Sequence, residues 1–188
     1  MSDCKNETDH KHHHRGKSSE SLLDKHKILA NLSIVPGQVI LDAGCGNGYM
    51  TKEFVKLTGK TGMVYALDPD AASIDPLKTE TLDINIEAFV GDIAKKTKLT
   101  ASSIDLIYLS TVIHGFSETE MKGFLKEIKR LLKPNGKLAI VEIMKEDTPF
   151  GPPLDIRFSP EELINTIDLN PNQLIDVGEY FYMQIFEK

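Results

Sequence analysis

The chain has 188 residues, 40% of them hydrophobic and 27% charged, a length that suits one globular domain and leaves no room for a separate substrate domain. Its 22 basic against 28 acidic side chains give a net charge of −6, so a nucleic-acid partner, which needs a surplus of Lys and Arg to neutralise phosphates, is not expected. No apolar run approaches the ~20 residues of a membrane span, Met1–Gly16 lacks the apolar stretch of a secretory signal, and Cys4 and Cys45 make no disulfide framework; a cytoplasmic protein is expected.

Residues 1–21 read as a flexible His-rich tail without apolar periodicity. His10, His12, His13 and His14 place four imidazoles within five positions, which could hold a divalent metal such as Zn or Ni, with Cys4 and His26 as further ligands. A solvated tail and a purification-tag remnant are the competing readings.

From Leu22 the apolar residues Leu22, Leu23, Ile28, Leu29 and Leu32 recur at helical spacing, and Pro36-Gly37 turns the chain. Short apolar runs then alternate with helical patterns. The strands are Val39–Leu41, Met63–Leu67, Ile86–Val90, Ile104–Leu109 and Lys137–Ile143. Between them lie helices at Tyr49–Thr58, at Ala71–Thr81 with a weaker pattern, and at Glu118–Leu132, which stops at Lys133-Pro134-Asn135-Gly136. This alternation predicts parallel strands joined by right-handed crossovers with helices on both faces. Gln173–Val177 and Tyr180–Glu187, separated by Gly178-Glu179, have hairpin spacing and predict an antiparallel close to the sheet.

Open α/β sheets bind ligands beyond the carboxyl ends of their strands, so the residues after each strand are the ones to inspect. The first strand ends in Asp42-Ala43-Gly44-Cys45-Gly46-Asn47-Gly48-Tyr49. Its alternate glycines let the backbone turn tightly and approach a ligand, and the next helix aims its N-terminal amides at the same place. A dinucleotide fingerprint needs its third glycine at position 49, where Tyr49 stands.

Asp42-x-Gly44-x-Gly46-x-Gly48 after an apolar strand resembles motif I of the class I S-adenosylmethionine-dependent methyltransferases. Val64-Tyr65-Ala66-Leu67-Asp68 is similar to the family's second strand, Val90-Gly91-Asp92-Ile93 to its third-strand element, and Ile104–Ser110 followed by Thr111-Val112-Ile113-His114 to its motif IV. Leu131–Leu138 is similar to the turn before its fifth strand. The resemblance covers residues 22–188, which would form one methyltransferase domain. It implies a Rossmann-like, doubly wound, seven-stranded α/β sheet, mostly parallel with an antiparallel last strand. It also implies S-adenosyl-L-methionine as cofactor, S-adenosyl-L-homocysteine as product, and a small-molecule methyl acceptor. By the same resemblance Asp42, Gly44, Cys45, Gly46, Asn47 and Gly48 would hold the methionine moiety. Asp68 and Pro69 would meet the ribose, Gly91, Asp92 and Ile93 the adenine, and Ser110 and Thr111 would line the cofactor edge.

On the acceptor side, His114 is either a general base or a structural histidine packed under the loop. Glu142 ends the fifth strand and could orient an acceptor. Arg157 either binds an anionic substrate or pairs with Asp155. Cys45 is expected to pack rather than to act as a nucleophile. Alternative functions are a cofactor-binding sensor without turnover and a protein or RNA methyltransferase.

Overall fold

The computed structural model describes residues 19–81 and 84–188. The four tail histidines proposed as metal ligands, His10, His12, His13 and His14, lie outside the described residues, as does Cys4. Residues 19–22, at the expected boundary between tail and domain, form a 3-10 turn, and the chain then docks on the far edge of the sheet. The Asp24 amide donates to the Val177 carbonyl, and a Cβ on Gly178 would come within 2.5 Å of the Leu22 carbonyl oxygen.

Seven strands form one sheet in the order β3-β2-β1-β4-β5-β7-β6. They are β1 (Val39–Ala43), β2 (Met63–Asp68), β3 (Ile86–Val90), β4 (Ile104–Ser110), β5 (Leu132–Ile143), β6 (Asn170–Gly178) and β7 (Phe181–Glu187). Strands β1 to β5 pair in parallel, and β7 runs antiparallel to both β5 and β6. The order reverses between β1 and β4, which opens a crevice at their carboxyl ends.

The sheet is buried on both faces, so neighbouring strand residues enter opposite cores. Ile40, Val64, Leu106 and Tyr108 pack under α1 (Lys25–Leu32), α2 (Tyr49–Thr58) and α3 (Ala71–Glu80). Leu41, Leu67, Ile107 and Leu109 pack under α4 (Glu118–Leu131) and α5 (Pro160–Thr166). Helix α4 begins with a reciprocal capping box between Ser117 and Glu120, and α5 with the same device between Ser159 and Glu162.

Two strand boundaries differ from the sequence reading by three residues or more. The expected turn Lys133–Gly136 lies within β5, as an irregularity between the pairs Ile104–Leu132 and Leu106–Lys137. It is anchored where Lys133 Nζ meets Asp105 Oδ2 at 2.8 Å. Strand β6 starts at Asn170 rather than Gln173, because a second irregularity lets Pro171 sit on an edge strand.

Candidate active site

The loop from β1 into α2 is fixed from below: the Gly44 and Cys45 amides donate to the Leu67 carbonyl at 2.7 and 3.1 Å. Gly44 has φ +77°, and a Cβ there would lie 2.5 Å from Cγ2 of Val112. The glycine therefore lets the segment after β4 close against the loop. Gly46, at φ +52°, differs, because a Cβ would meet no protein atom within 4 Å. The loop presents open backbone at Gly46, and Asn47 beside it is exposed.

Two acids stand beneath this loop. Asp42 is 3% exposed and accepts the Thr51 hydroxyl at 2.5 Å. Burial pushes its carboxyl up to about 7, against the opposing hydrogen bond from Thr51, with a smaller push from the charge of Asp68. Asp68 ends β2; its Oδ2 accepts from the Gly46 amide at 2.9 Å and its Oδ1 from the Asp70 amide at 2.8 Å. Each carboxylate oxygen keeps a second lone pair. Pro69 is exposed beside it. The Cys45 thiol is buried, and burial, followed by the charges of Asp42 and Asp68, pushes it far above its ordinary range. A thiol so held is a packing group rather than a nucleophile.

At the end of β3, Gly91 passes over Leu67, whose Cδ1 would be 2.5 Å from a Cβ. Asp92 folds onto its own loop, accepting the Ala94 amide at 2.8 Å and pairing with Lys95 at 3.1 Å. Ile93 is buried in the core, so only its backbone can face the crevice. Gly123 of α4 admits this loop, since a Cβ would stand 1.9 Å from the Ala94 carbonyl oxygen.

The carboxyl end of β4 is polar where it is buried. Tyr108, the register partner of Asp42, and Ser110 each bury a hydroxyl; the two lie near each other and neither makes a hydrogen bond of good geometry among the described residues. Thr111 follows at φ +56°, a conformation that costs a β-branched residue energy. It redirects the chain into the 3-10 turn Ile113–Gly115. There the His114 Nδ1 lies 2.8 Å from Glu142 Oε2, and Glu142 Oε1 accepts the Ile113 amide at 3.1 Å. Glu142, expected to orient an acceptor, is 1% exposed and contacts the histidine instead.

His114 borders a cleft of about 470 Å³ whose walls include Phe116, Lys145, Ile156, Phe158 and Asn165. Arg157 also borders it, and its bonds differ from the expected pairing with Asp155. Its Nε donates to Pro152 O, its Nη1 to Met144 O, Glu146 O and Thr148 Oγ1, and its Nη2 to Phe150 O. The guanidinium is buried and fastens the loop after β5, with Asp155 not among the partners of these bonds. Sequence reasoning missed Thr51 and the aromatic walls Phe116 and Phe158; only their types, not their spacing, carried a signal. Among the described residues no group of three or more His, Cys, Asp or Glu side chains is placed to hold a metal ion. No helix among them is long and apolar enough to cross a membrane.

Residues 40–136 match the family described as "Methyltransferase domain". A ubiquinone/menaquinone biosynthesis C-methyltransferase of Laribacter hongkongensis is 30% identical over 134 residues, 70% of this chain and 54% of the relative. An uncharacterized methyltransferase of Synechocystis sp. is 29% identical over 79% of this chain and 69% of its own length. The chain thus spans only about half of the Laribacter relative. A SAM dependent methyltransferase from Aquifex aeolicus has a similar crystal structure, with TM-score 0.79 and 27% identity over 92% of this chain and 93% of that one.

Proposed function

The chain belongs to the methyltransferase-domain family of class I S-adenosylmethionine-dependent enzymes, and from that premise we propose that it transfers the cofactor's methyl group to a small-molecule acceptor held in the cleft beside His114. The observation that carries the reading is the convergence, at the β1/β4 reversal, of the glycine loop with room above Gly46, the strand-end acids Asp42 and Asp68, and the buried Ser110 hydroxyl. These groups fit the cofactor: the N-terminus of α2 for a carboxylate, acids for an ammonium and for ribose hydroxyls.

In this reading Asp42 and Gly44–Gly48 hold the amino-acid end of S-adenosylmethionine. Asp68 and Pro69 hold the ribose, Gly91, Asp92 and the Ile93 backbone the adenine, and Ser110 and Thr111 close the edge toward the acceptor. When bound, the cofactor supplies a methyl group already activated by its sulfonium charge. The protein's own work is mainly positioning, which can supply about 7–11 kcal/mol. Phe116, Ile156 and Phe158 exclude water from the acceptor, and Arg157 keeps the wall after β5 in place. His114 stands at the acceptor's side as a proton acceptor.

The cleft volume favours a compact acceptor, and a relative named for ubiquinone/menaquinone biosynthesis supports a low-mass one. The test is formation of S-adenosylhomocysteine from S-adenosylmethionine with pooled low-mass acceptors, or with protein or RNA fractions. Product formation with the low-mass pool is expected, retained cofactor binding and lost transfer in His114→Ala with it. Turnover confined to the macromolecular fractions would overturn the small-molecule reading.

A further inference from the structure

The acceptor cleft is bordered by a contact between an imidazole and a buried carboxylate. Glu142 is 1% exposed, and a carboxylate that deep is costly unless both oxygens are satisfied. Ile113 N–H satisfies Oε1 at 3.1 Å, and His114 Nδ1 lies against Oε2 at 2.8 Å. An ionised carboxylate can only accept, so beside ionised Glu142 the Nδ1 carries a proton, and in the neutral ring that proton is the only one. The His114 Nε2 is then left with a lone pair and has no hydrogen-bond partner among the described residues, while the side chain, 18% exposed, borders the cleft.

We propose that Glu142 is a positioning residue that fixes the Nδ1–H tautomer of His114, making Nε2 a general base, and that the acceptor is a phenol- or enol-type hydroxyl compound whose reacting oxygen arrives protonated. This inference rests on the cofactor reading above. An acceptor with a free lone pair, such as a tertiary amine or a thiolate, has no use for a buried carboxylate–imidazole pair. A hydroxyl does, and the flat apolar walls Phe116 and Phe158 suit a ring bearing it. The step balances: the O–H proton passes to His114 Nε2, the oxygen's electron pair forms the new O–CH3 bond, and the C–S bonding pair remains on sulfur. The products are a methyl ether, S-adenosylhomocysteine and an imidazolium held by Glu142.

The arrangement is also a product of the fold. Glu142 lies on β5, and His114, 28 residues away in sequence, lies in the turn that follows the neighbouring β4. The left-handed turn at Thr111 and the contact of Val112 with Gly44 bring the imidazole back over the end of β5.

The test combines 15N NMR of the His114 ring on the full chain with a pair of probe acceptors, phenol and 4-nitrophenol, at about pH 8, where the first is protonated and the second ionised. The wild type should show the Nδ1–H tautomer, and Glu142→Gln should shift the population toward Nε2–H with S-adenosylmethionine affinity unchanged. Turnover of phenol should fall on the order of 10²-fold in Glu142→Gln and up to ~10⁴-fold in His114→Ala, while that of 4-nitrophenol falls less than about threefold. Glu142→Asp should restore part of the phenol rate. Should Glu142→Gln fail to fold, the half-buried His114→Ala carries the same selective loss. An Nε2–H tautomer in the wild type would overturn the pairing. Equal losses on the two phenols, or no phenol turnover by protein that binds S-adenosylmethionine, would overturn the general base and acceptor class. Failure to bind S-adenosylmethionine would instead overturn the cofactor reading, and the acceptor class with it, while the tautomer still decides the pairing.

Discussion

Around the glycine loop, contacts are made by backbone amides and by acids standing at strand ends: Gly44 and Cys45 to Leu67, Gly46 to Asp68, Asp70 to Asp68. Around His114 they are made by side chains reaching between separate segments, Glu142 to the Ile113–Gly115 turn and Arg157 to the loop after β5. The first region depends on the path of the main chain, which tolerates few residue types. The second depends on particular side chains that reach between segments, so a change at one of them alters the acceptor's walls and leaves the glycine loop in place. A fold can thus keep one cofactor site while its acceptor site diverges.

That contrast is breakable by mutation. The largest effect is expected from Arg157→Ala, which strips donors from four carbonyls and the Thr148 hydroxyl. Unmade buried hydrogen bonds cost ~1–3 kcal/mol each, offset where water enters, so a loss of about 4 kcal/mol is expected in denaturant melts. Acceptor KM should rise while S-adenosylmethionine affinity stays within about twofold. Gly44→Ala should cost about 3 kcal/mol, part from the left-handed backbone and part from the clash with Val112. It should weaken S-adenosylmethionine at least ~10-fold by calorimetry. Through Val112 it should also slow transfer, which would show where the two regions touch.

Asp42 gives a pH signature confined to the cofactor region. Its carboxyl is raised to about 7 by burial, so the native state favours the protonated form. That stabilisation is fully present below the ordinary value near 4, and is lost as pH rises through about 7. Thermal melts of ligand-free protein should fall between about pH 4 and 7, and Asp42→Asn should flatten the slope and stabilise the protein at about pH 8 by on the order of 2–4 kcal/mol. The smallest effect is expected from Thr111→Gly. Relief of left-handed strain and the greater freedom of the unfolded glycine nearly cancel, leaving stability within about 1 kcal/mol. Transfer should nonetheless fall, as measured by kcat, because the turn carrying His114 loosens.

The same contrast governs what could be read from the residues. Asp42-x-Gly44-x-Gly46-x-Gly48 and the acids after successive strands are local patterns, and the strands around them follow from apolar runs punctuated by turn residues. The hairpin Gly178-Glu179 likewise announced β7 beside β6. Lys133–Gly136 looked like a turn because Pro, Asn and Gly favour one, yet the pairing of β4 with β5 absorbs it as an irregularity. Arg157 was misread because its partners are carbonyls, which every residue has and no sequence displays. His114 and Glu142 were each visible at a strand end, but their contact depends on the register of β4 and β5 and on the unusual backbone of Thr111.

The most direct test of the central assignment is calorimetric titration of the folded, cofactor-free protein with S-adenosylmethionine and S-adenosylhomocysteine, with NADH as control, for the wild type and Asp68→Ala. The account predicts binding of both adenosyl ligands in the micromolar range, none of NADH, and a loss of at least ~10-fold in the variant. Binding of neither adenosyl ligand, or equal binding by Asp68→Ala, would contradict it.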